Sequence, residues 1–253
     1  MQRAIRHKTI INAVRGSSEA RIADLARATG ASAMTLRRDL DELALQGVLR
    51  RTHGGAVALP ARGTRLPYSL RLETNTGLKQ RIGAAAANLV TDESSVIIDD
   101  GTTCTAVARA LAGREVTAMA LSIHGAAALG ERPGTRIVTP GGELNGDELS
   151  WTGHRAARDV LDFRADVAIL GVCAWDEESG LTASTMQDAD FKKAALASAR
   201  RVIAVTTPEK FGMTATFAVC ATGALDTVIT SRAPAEARAW LAAAGVELVE
   251  AGP

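Results

Sequence analysis

The chain has 253 residues, 47% of them apolar but only 3% aromatic, and a formal net charge of +1, so a sizeable core is possible and must rest on aliphatic and small side chains. Three cysteines, Cys104, Cys173 and Cys220, are odd in number, far apart and never spaced CxxC, which argues against a disulfide framework or a zinc site. No apolar run reaches the roughly 18 residues of a membrane span. The N-terminus leads into amphipathic sequence rather than a hydrophobic signal core, so the chain is expected to be cytoplasmic.

Charge is unevenly placed. Residues 1–57 hold ten Lys plus Arg against five Asp plus Glu, whereas residues 58–253 hold nineteen against twenty-three. The basic excess therefore sits at the N-terminus, where a phosphate-facing surface would want it.

Taken in order, Ile5, Ile10, Ile11 and Val14 mark a first helix ending near Gly16, followed by a polar connection through Ser17, Ser18 and Glu19. Ile22, Leu25 and Ala26 recur at helical spacing in a second helix closed by Gly30. A short turn leads into a third helix in which Leu36, Leu40 and Leu43 share one face while Thr35, Arg37 and Arg38 point elsewhere. Ser32 is placed to N-cap it. The first turn then presents Met34, Thr35, Arg37 and Arg38 in a way that suits the major groove of DNA. Gly47 ends this helix. Val48 to Thr52 and Ala56 to Ala58 flank His53-Gly54-Gly55, a pattern for two short strands around a glycine turn, the wing of a winged helix-turn-helix.

Residues 59–76 carry two prolines, one glycine and scattered arginines without sustained periodicity, and read as a linker between a DNA-binding domain over 1–58 and a larger domain over 77–253. In the larger domain helical and strand patterns alternate. Ile82, Ala85, Ala86 and Leu89 make a helix face, Val96-Ile97-Ile98 a buried strand, and Val107 and Leu111 a second helix. Strands are predicted at Val116 to Leu121, Arg136 to Thr139, Asp166 to Gly171, Arg201 to Val205, Thr227 to Thr230 and Val246 to Val249. Helices are predicted at Gly153 to Leu161, Asp188 to Ala199 and Pro234 to Ala244. Such alternation argues for an α/β fold with a mainly parallel sheet. Asp99-Asp100-Gly101-Thr102-Thr103 follows the first strand, where α/β sheets bind ligands, and its threonines sit beside the free N–H groups of the next helix. It is not a Walker loop, because GxxxxGK[ST] is absent.

The run from Arg6 through Thr35-Leu36-Arg37-Arg38-Asp39-Leu40 to His53-Gly54-Gly55-Ala56 resembles the DNA-binding domain of the DeoR family of bacterial transcription regulators. The resemblance extends to the family's sensor domain, itself similar to ribose-phosphate isomerases, through Asp99 with Gly101-Thr102-Thr103, Gly141-Gly142, Gly180-Leu181-Thr182, Lys192 and Lys210-Phe211-Gly212. It implies a repressor that binds double-stranded operator DNA as a dimer or tetramer and senses a small phosphorylated sugar or related metabolite, without a metal or other cofactor. Ser32, Met34, Thr35, Arg37 and Arg38 would read the groove and its phosphates, with Arg50, Arg51 and His53 on the wing. Asp99, Asp100, Gly101, Thr102, Thr103, Gly141 and Gly142 would form the effector site, with Lys79, Lys192 and Lys210 as anion partners. The chain departs from the family pattern at Leu121, Ser122, Thr207 and Ser231, which removes polar groups expected to read the effector.

Two other functions compete: a sugar-phosphate isomerase using Asp99, Asp100 or Glu143 as a base, and a DNA binder with a silent C-terminal domain. Cys104 is expected to pack as a small residue, and His124 and His154 to be hydrogen-bonded. Trp151 and Trp175 could stack on a sugar or cover the core.

Overall fold

The computed structural model describes residues 3–15, 19–45, 48–58, 66–146 and 148–252. The expectations placed on Gly16, Ser17, Ser18, Gly47 and residues 59–65 lie outside the described residues. The chain divides into two compact units, Met1–Thr74 and Asn75–Pro253.

The first unit contains helices α1 (Arg3–Arg15), α2 (Ile22–Thr29) and α3 (Ala33–Leu45), with strands β1 (Ala20–Arg21), β2 (Leu49–Arg51) and β3 (Gly55–Ala58) in an antiparallel sheet of order β1-β3-β2. Its core holds Ile10, Ile11, Val14, Leu25, Leu36, Leu40, Leu43 and Leu49. Burying each such aliphatic side chain is worth about 1.5–3 kcal/mol, so the three leucines of α3 alone fix that helix firmly on one side. Gly30 ends α2 in the left-handed region, at φ 67°, and the Ser32 hydroxyl accepts the Thr35 N–H at 3.2 Å to cap α3. Gly55 lets β1 and β3 approach, because a Cβ there would lie 2.0 Å from the Ala20 carbonyl oxygen.

A polar pin adds to the apolar anchor. Asp39, buried on the inner face of α3, accepts hydrogen bonds from Arg6 Nε at 2.5 Å and Arg6 Nη2 at 3.1 Å, and lies 3.1 Å from His7 Nε2. Burial alone would raise the Asp39 pKa; the hydrogen bonds from Arg6 and His7 outweigh it and hold the carboxyl below its ordinary range.

The segment read as linker is helical in part. Tyr68–Glu73 forms α4, with Tyr68 buried, Leu66 and Leu70 packed on the winged-helix core, and the Arg71 guanidinium 5.6 Å from the Tyr68 ring centroid. Six residues without a clear apolar period were enough, because an existing core supplies the surface they pack on.

In the second unit, α5 (Thr76–Asn88), β4 (Ser95–Ile98), α6 (Thr102–Leu111), β5 (Thr117–Ala120), α7 (Ile123–Leu129) and β6 (Arg136–Val138) precede a hairpin of β7 (Glu143–Leu144) and β8 (Trp151–Thr152). Then follow α8 (Gly153–Asp162), β9 (Ala165–Gly171), β10 (Ala174–Asp176), β11 (Gly180–Ala183), α9 (Met186–Ser198), β12 (Ala199–Val205), β13 (Phe217–Cys220), β14 (Thr227–Thr230), α10 (Ala235–Ala243) and β15 (Glu247–Glu250). Seven strands form one parallel sheet of order β15-β14-β12-β9-β4-β5-β6, and β10, β11 and β13 form a small antiparallel one.

Residues alternate between two cores. Val96 and Ile98 pack with Ile82, Val107, Leu111 and Leu129 of α5, α6 and α7, while Ile97 packs with Val160, Ala195 and Leu241 of α8, α9 and α10. A parallel sheet covered on both faces needs near-continuous apolar strands, which is how β4, β9 and β12 read.

Asp39→Ala is expected to lower the stability of the N-terminal unit by about 1.5–3 kcal/mol, the worth of hydrogen bonds to a charged group, measured by chemical denaturation. Because folding lowers the Asp39 pKa, its contribution is present above the ordinary carboxyl value of 3.8 and is lost as pH falls through the lower folded value. The variant should accordingly lose less stability on acidification than the parent.

Candidate functional site

Two surfaces carry the residues singled out by the sequence. On the first, α3 splits its Arg37-Arg38-Asp39-Leu40 run by face: Asp39 and Leu40 are buried, Arg37 and Arg38 exposed. Met34 is 72% exposed, Ser32 is exposed and Thr35 half-buried, with Ser32 Oγ and Thr35 Oγ1 3.0 Å apart. Arg50 and His53 are exposed on the wing. Arg51 is different: its side chain pairs with Asp41 of α3 at 3.3 Å, so it braces the wing against the helix.

The second surface follows from the strand order. The chain runs from β4 outward to β5 and β6, then returns to place β9 on the other side of β4 and continues to β12 and β14. The order therefore reverses between β4 and β9, and it is beyond the carboxyl ends of strands at such a point that open α/β sheets bind ligands. Asp99 follows β4 directly, and its Oδ2 accepts the N–H of Gly171, the last residue of β9, at 2.9 Å. Gly101 N-caps α6, with Thr102 buried and Thr103 half-buried in the first turn, whose N–H groups have no partner within the helix.

Lys192 reaches this point from α9 with no solvent exposure. Its ammonium lies 2.6 Å from Asp99 Oδ2 and 2.5 Å from Asp188 Oδ1, and Asp188 Oδ2 in turn accepts the Cys173 thiol at 3.1 Å. Of the three lysines assigned by resemblance to anion binding, Lys192 is thus already committed to two carboxylates, and its charge faces inward. Lys79 of α5 is also buried, at 8% exposure, and Lys210 is half-buried after the turn at Pro208. Lys79 is therefore not a solvated surface charge.

Oxygens of Asp99, Asp100 and Asp188 lie within 4.8 Å of one another, a spacing that would suit a cation, and the Lys192 ammonium supplies one. One ammonium among three carboxyls leaves negative charge in excess. Burial pushes the Asp99 carboxyl up to about 6 against the pull of Lys192, and neighbouring Asp100 and Asp188 push the same way. Lys192 itself is held well above its ordinary value by Asp188 and Asp99, which outweigh its burial.

Other motif residues resolve into structure. Gly142, at φ 122°, approaches the Thr152 carbonyl so closely that a Cβ would sit 2.9 Å from it, while the Gly141 N–H donates to Asp159 Oδ2 at 2.8 Å. Both glycines seat the loop on α8. Gly180-Leu181-Thr182 forms β11, and Thr182 Oγ1 donates to the Ala174 carbonyl at 3.3 Å. Phe211 joins Trp175 and Trp240 in an aromatic trio with centroids 5.4–5.9 Å apart, and Trp175 Nε1 donates to Thr222 Oγ1 at 3.0 Å, so Trp175 covers the core. Cys104 is fully buried within the core over α6.

The departures at Ser122 and Thr207 also have local work. Ser122 Oγ accepts the Gly125 N–H at 3.1 Å and caps α7, a helix whose Ala-rich sequence shows no apolar period. Thr207 Oγ1 donates to Glu209 at 2.8 Å, and Glu209 also accepts from Asn75 Nδ2 at 3.4 Å. Among the described residues, the buried Trp151 Nε1 and Thr230 Oγ1 have no hydrogen-bond partner. The Trp151 backbone N–H binds the Leu121 carbonyl just beyond β5, at the carboxyl-end rim. Asp188, which sequence reasoning missed as a site residue, had a weak signal: it lies one helical turn before Lys192, at the i, i+4 spacing that lets the two meet.

Comparison with known proteins gives two family matches, a DeoR-like helix-turn-helix domain over residues 6–61 and a DeoR C terminal sensor domain over 74–232. The glycerol-3-phosphate regulon repressor of Escherichia coli is 32% identical over 235 residues, covering 92% of this chain and 93% of that protein. The HTH-type transcriptional repressor GlcR of Bacillus subtilis is 32% identical over 203 residues, covering 80% and 78%. Among solved structures, ribose 5-phosphate isomerase A of Methanocaldococcus jannaschii aligns over 55% of each chain at 18% identity and a TM-score of 0.40, too remote to bear on activity.

Lys192→Met is expected to destabilise the C-terminal unit by about 3–5 kcal/mol, the cost of stranding buried charges without a partner, read by denaturant titration. Asp99 has its pKa raised on folding, so the linkage sign is opposite to that of Asp39: its contribution is fully present below the ordinary value of 3.8 and is lost as pH rises through about 6. Removing Lys192 should extend that loss to higher pH.

Proposed function

The chain belongs to the DeoR family of transcriptional repressors, and from that premise we propose that it binds operator DNA through α3 and the wing under the control of a small phosphorylated sugar or polyol bound by the C-terminal unit. The observation that carries the DNA half is the division of α3 into a buried face of Leu36, Asp39, Leu40 and Leu43 and an exposed face of Met34, Arg37 and Arg38. A helix so anchored offers its first turn to the major groove, where Arg37 and Arg38 meet base edges or phosphates and Thr35 and Ser32 line the approach. Arg50 and His53 of the wing meet the backbone alongside, and Arg51 positions the wing.

On the sensing side we place the effector outside the carboxyl ends of β4 and β9, with its phosphate toward the first turn of α6 and toward Lys210 and Lys79. The orphaned Trp151 Nε1 supports this reading, since the Trp151 backbone is bound to Leu121 at this rim and a polar ligand there would supply the partner that a buried donor ordinarily has. The Asp99–Lys192–Asp188 group serves as the rigid floor of the site. Effector and operator would be coupled through different preferred arrangements of the two units or of subunits in a dimer or tetramer. The named relatives are repressors, and this protein is read as acting by binding rather than turnover.

Substituting Arg37 and Arg38 together by Ala should weaken duplex binding at fixed salt by at least tenfold, given about 1–3 kcal/mol for each good contact to a base; undiminished affinity in an anisotropy titration would contradict the DNA assignment. A panel of phosphorylated sugars and polyols should contain at least one compound that raises the melting temperature of the C-terminal unit, because a ligand at about 100 times its Kd adds about 2.7 kcal/mol. A flat response across the panel would count against the effector class.

A further inference from the structure

The arginine side chains described in the winged helix fall into two sets. Among the described residues up to Ala58, Arg3, Arg6 and Arg51 pair with Glu42, Asp39 and Asp41 and so knit helices and wing together, while Arg27 pairs with Asp24 within α2. Arg21, Arg37, Arg38 and Arg50 are exposed and carry no ion pair among the described residues. Three of these four are the cations already assigned to DNA. The fourth, Arg21, lies outside the helix-turn-helix and wing patterns that drew attention to the others.

Its place in the sheet gives it a direction. Side chains alternate across a strand, so residues opposite Ala56 share one face of the small sheet and residues opposite Gly55 and Val57 share the other. Ala20 and Arg51 both oppose Ala56, on the inner face where Arg51 meets Asp41 of α3. Arg21 opposes Gly55 and Arg50 opposes Val57, which puts both guanidinium groups on the outer face. Arg21 also adjoins the wing turn, since the N–H of the next residue, Ile22, donates to the Gly54 carbonyl at 3.0 Å. It immediately precedes α2, the first helix of the helix-turn-helix, which crosses the phosphate backbone when the second helix enters the groove.

We propose that Arg21 contacts a DNA phosphate and, with Arg50, forms a sequence-independent backbone clamp beside the wing. The proposal rests on the DNA-binding reading above. A guanidinium without a protein carboxylate is free to pair with a phosphate and release a counterion, whereas the paired arginines would first have to give up their partners.

The test is a salt series of anisotropy titrations with a short random-sequence duplex, using full-length parent, Arg21→Gln and Arg21→Lys, with circular dichroism melts of each. Arg21→Gln should bind several-fold more weakly at low salt, and its slope of log affinity against log salt should be shallower by about 0.9, one released counterion's worth. Arg21→Lys should keep the parent's slope. A parent slope in Arg21→Gln overturns the proposal, and a loss of affinity with that slope unchanged marks a merely structural role and overturns it equally. If the parent itself binds no duplex, the DNA-binding reading falls and the proposal falls with it, an outcome distinct from binding that is indifferent to residue 21.

Discussion

A helix that reads DNA has to be held on one side only, and in this protein the holding is done by Leu36, Leu40 and Leu43 together with the buried contact of Asp39 to Arg6 and His7. The leucines supply most of the free energy, but an apolar stripe alone would tolerate small rotations of α3 about its axis. The carboxylate, gripped from two successive residues of α1, removes that freedom because its hydrogen bonds are directional and its burial makes losing them costly. The turn between α2 and α3, the Ser32 cap and the Arg51–Asp41 brace then set where the exposed arginines stand.

The C-terminal unit uses buried charge in a related way. Lys192, Asp99 and Asp188 tie α9 to the loop beyond β4, and the Asp99 bond to the Gly171 N–H ties that loop to β9. The loop at the point where the strand order reverses is thereby tied both to β9 and to α9. Replacing such a cluster by apolar residues is often neutral for stability, so its presence where a ligand is expected is better explained by specificity of geometry than by strength.

Much of this architecture was legible in the sequence. The period of Leu36, Leu40 and Leu43, Gly30 before Ser32 and the glycine turn of the wing led to the N-terminal fold, and the alternation of apolar runs with helical faces led to the parallel sheet. The strand Thr227–Thr230 is predicted to the residue, and the other predicted strands to within two residues at either end, while β1 and the hairpin of β7 and β8 have no counterpart among them. What escaped notice was short or depended on packing: α4, which forms on a core made elsewhere; α7, whose Gly and Ala carry no period; and the small sheet of β10, β11 and β13, three or four residues each. Residue roles were harder than elements. Lys192 looks like any helical lysine in sequence, and only the fold brings Asp99, 93 residues away, to its ammonium. Gly141-Gly142 and Gly180-Leu181-Thr182 carry family resemblance, yet each is accounted for by a close backbone approach or a strand pairing. For the same reason the paired and unpaired arginines could not be told apart before the carboxylates were located.

The most direct measurement is a selection of bound duplexes from a pool randomised in sequence, carried out with the full-length protein at physiological salt and repeated with Arg37→Ala. If α3 is the reading element, the parent enriches a defined sequence arranged as paired half-sites, and the variant loses preference at specific positions of that sequence. Enrichment that is absent in the parent, or unchanged in the variant, would contradict the account.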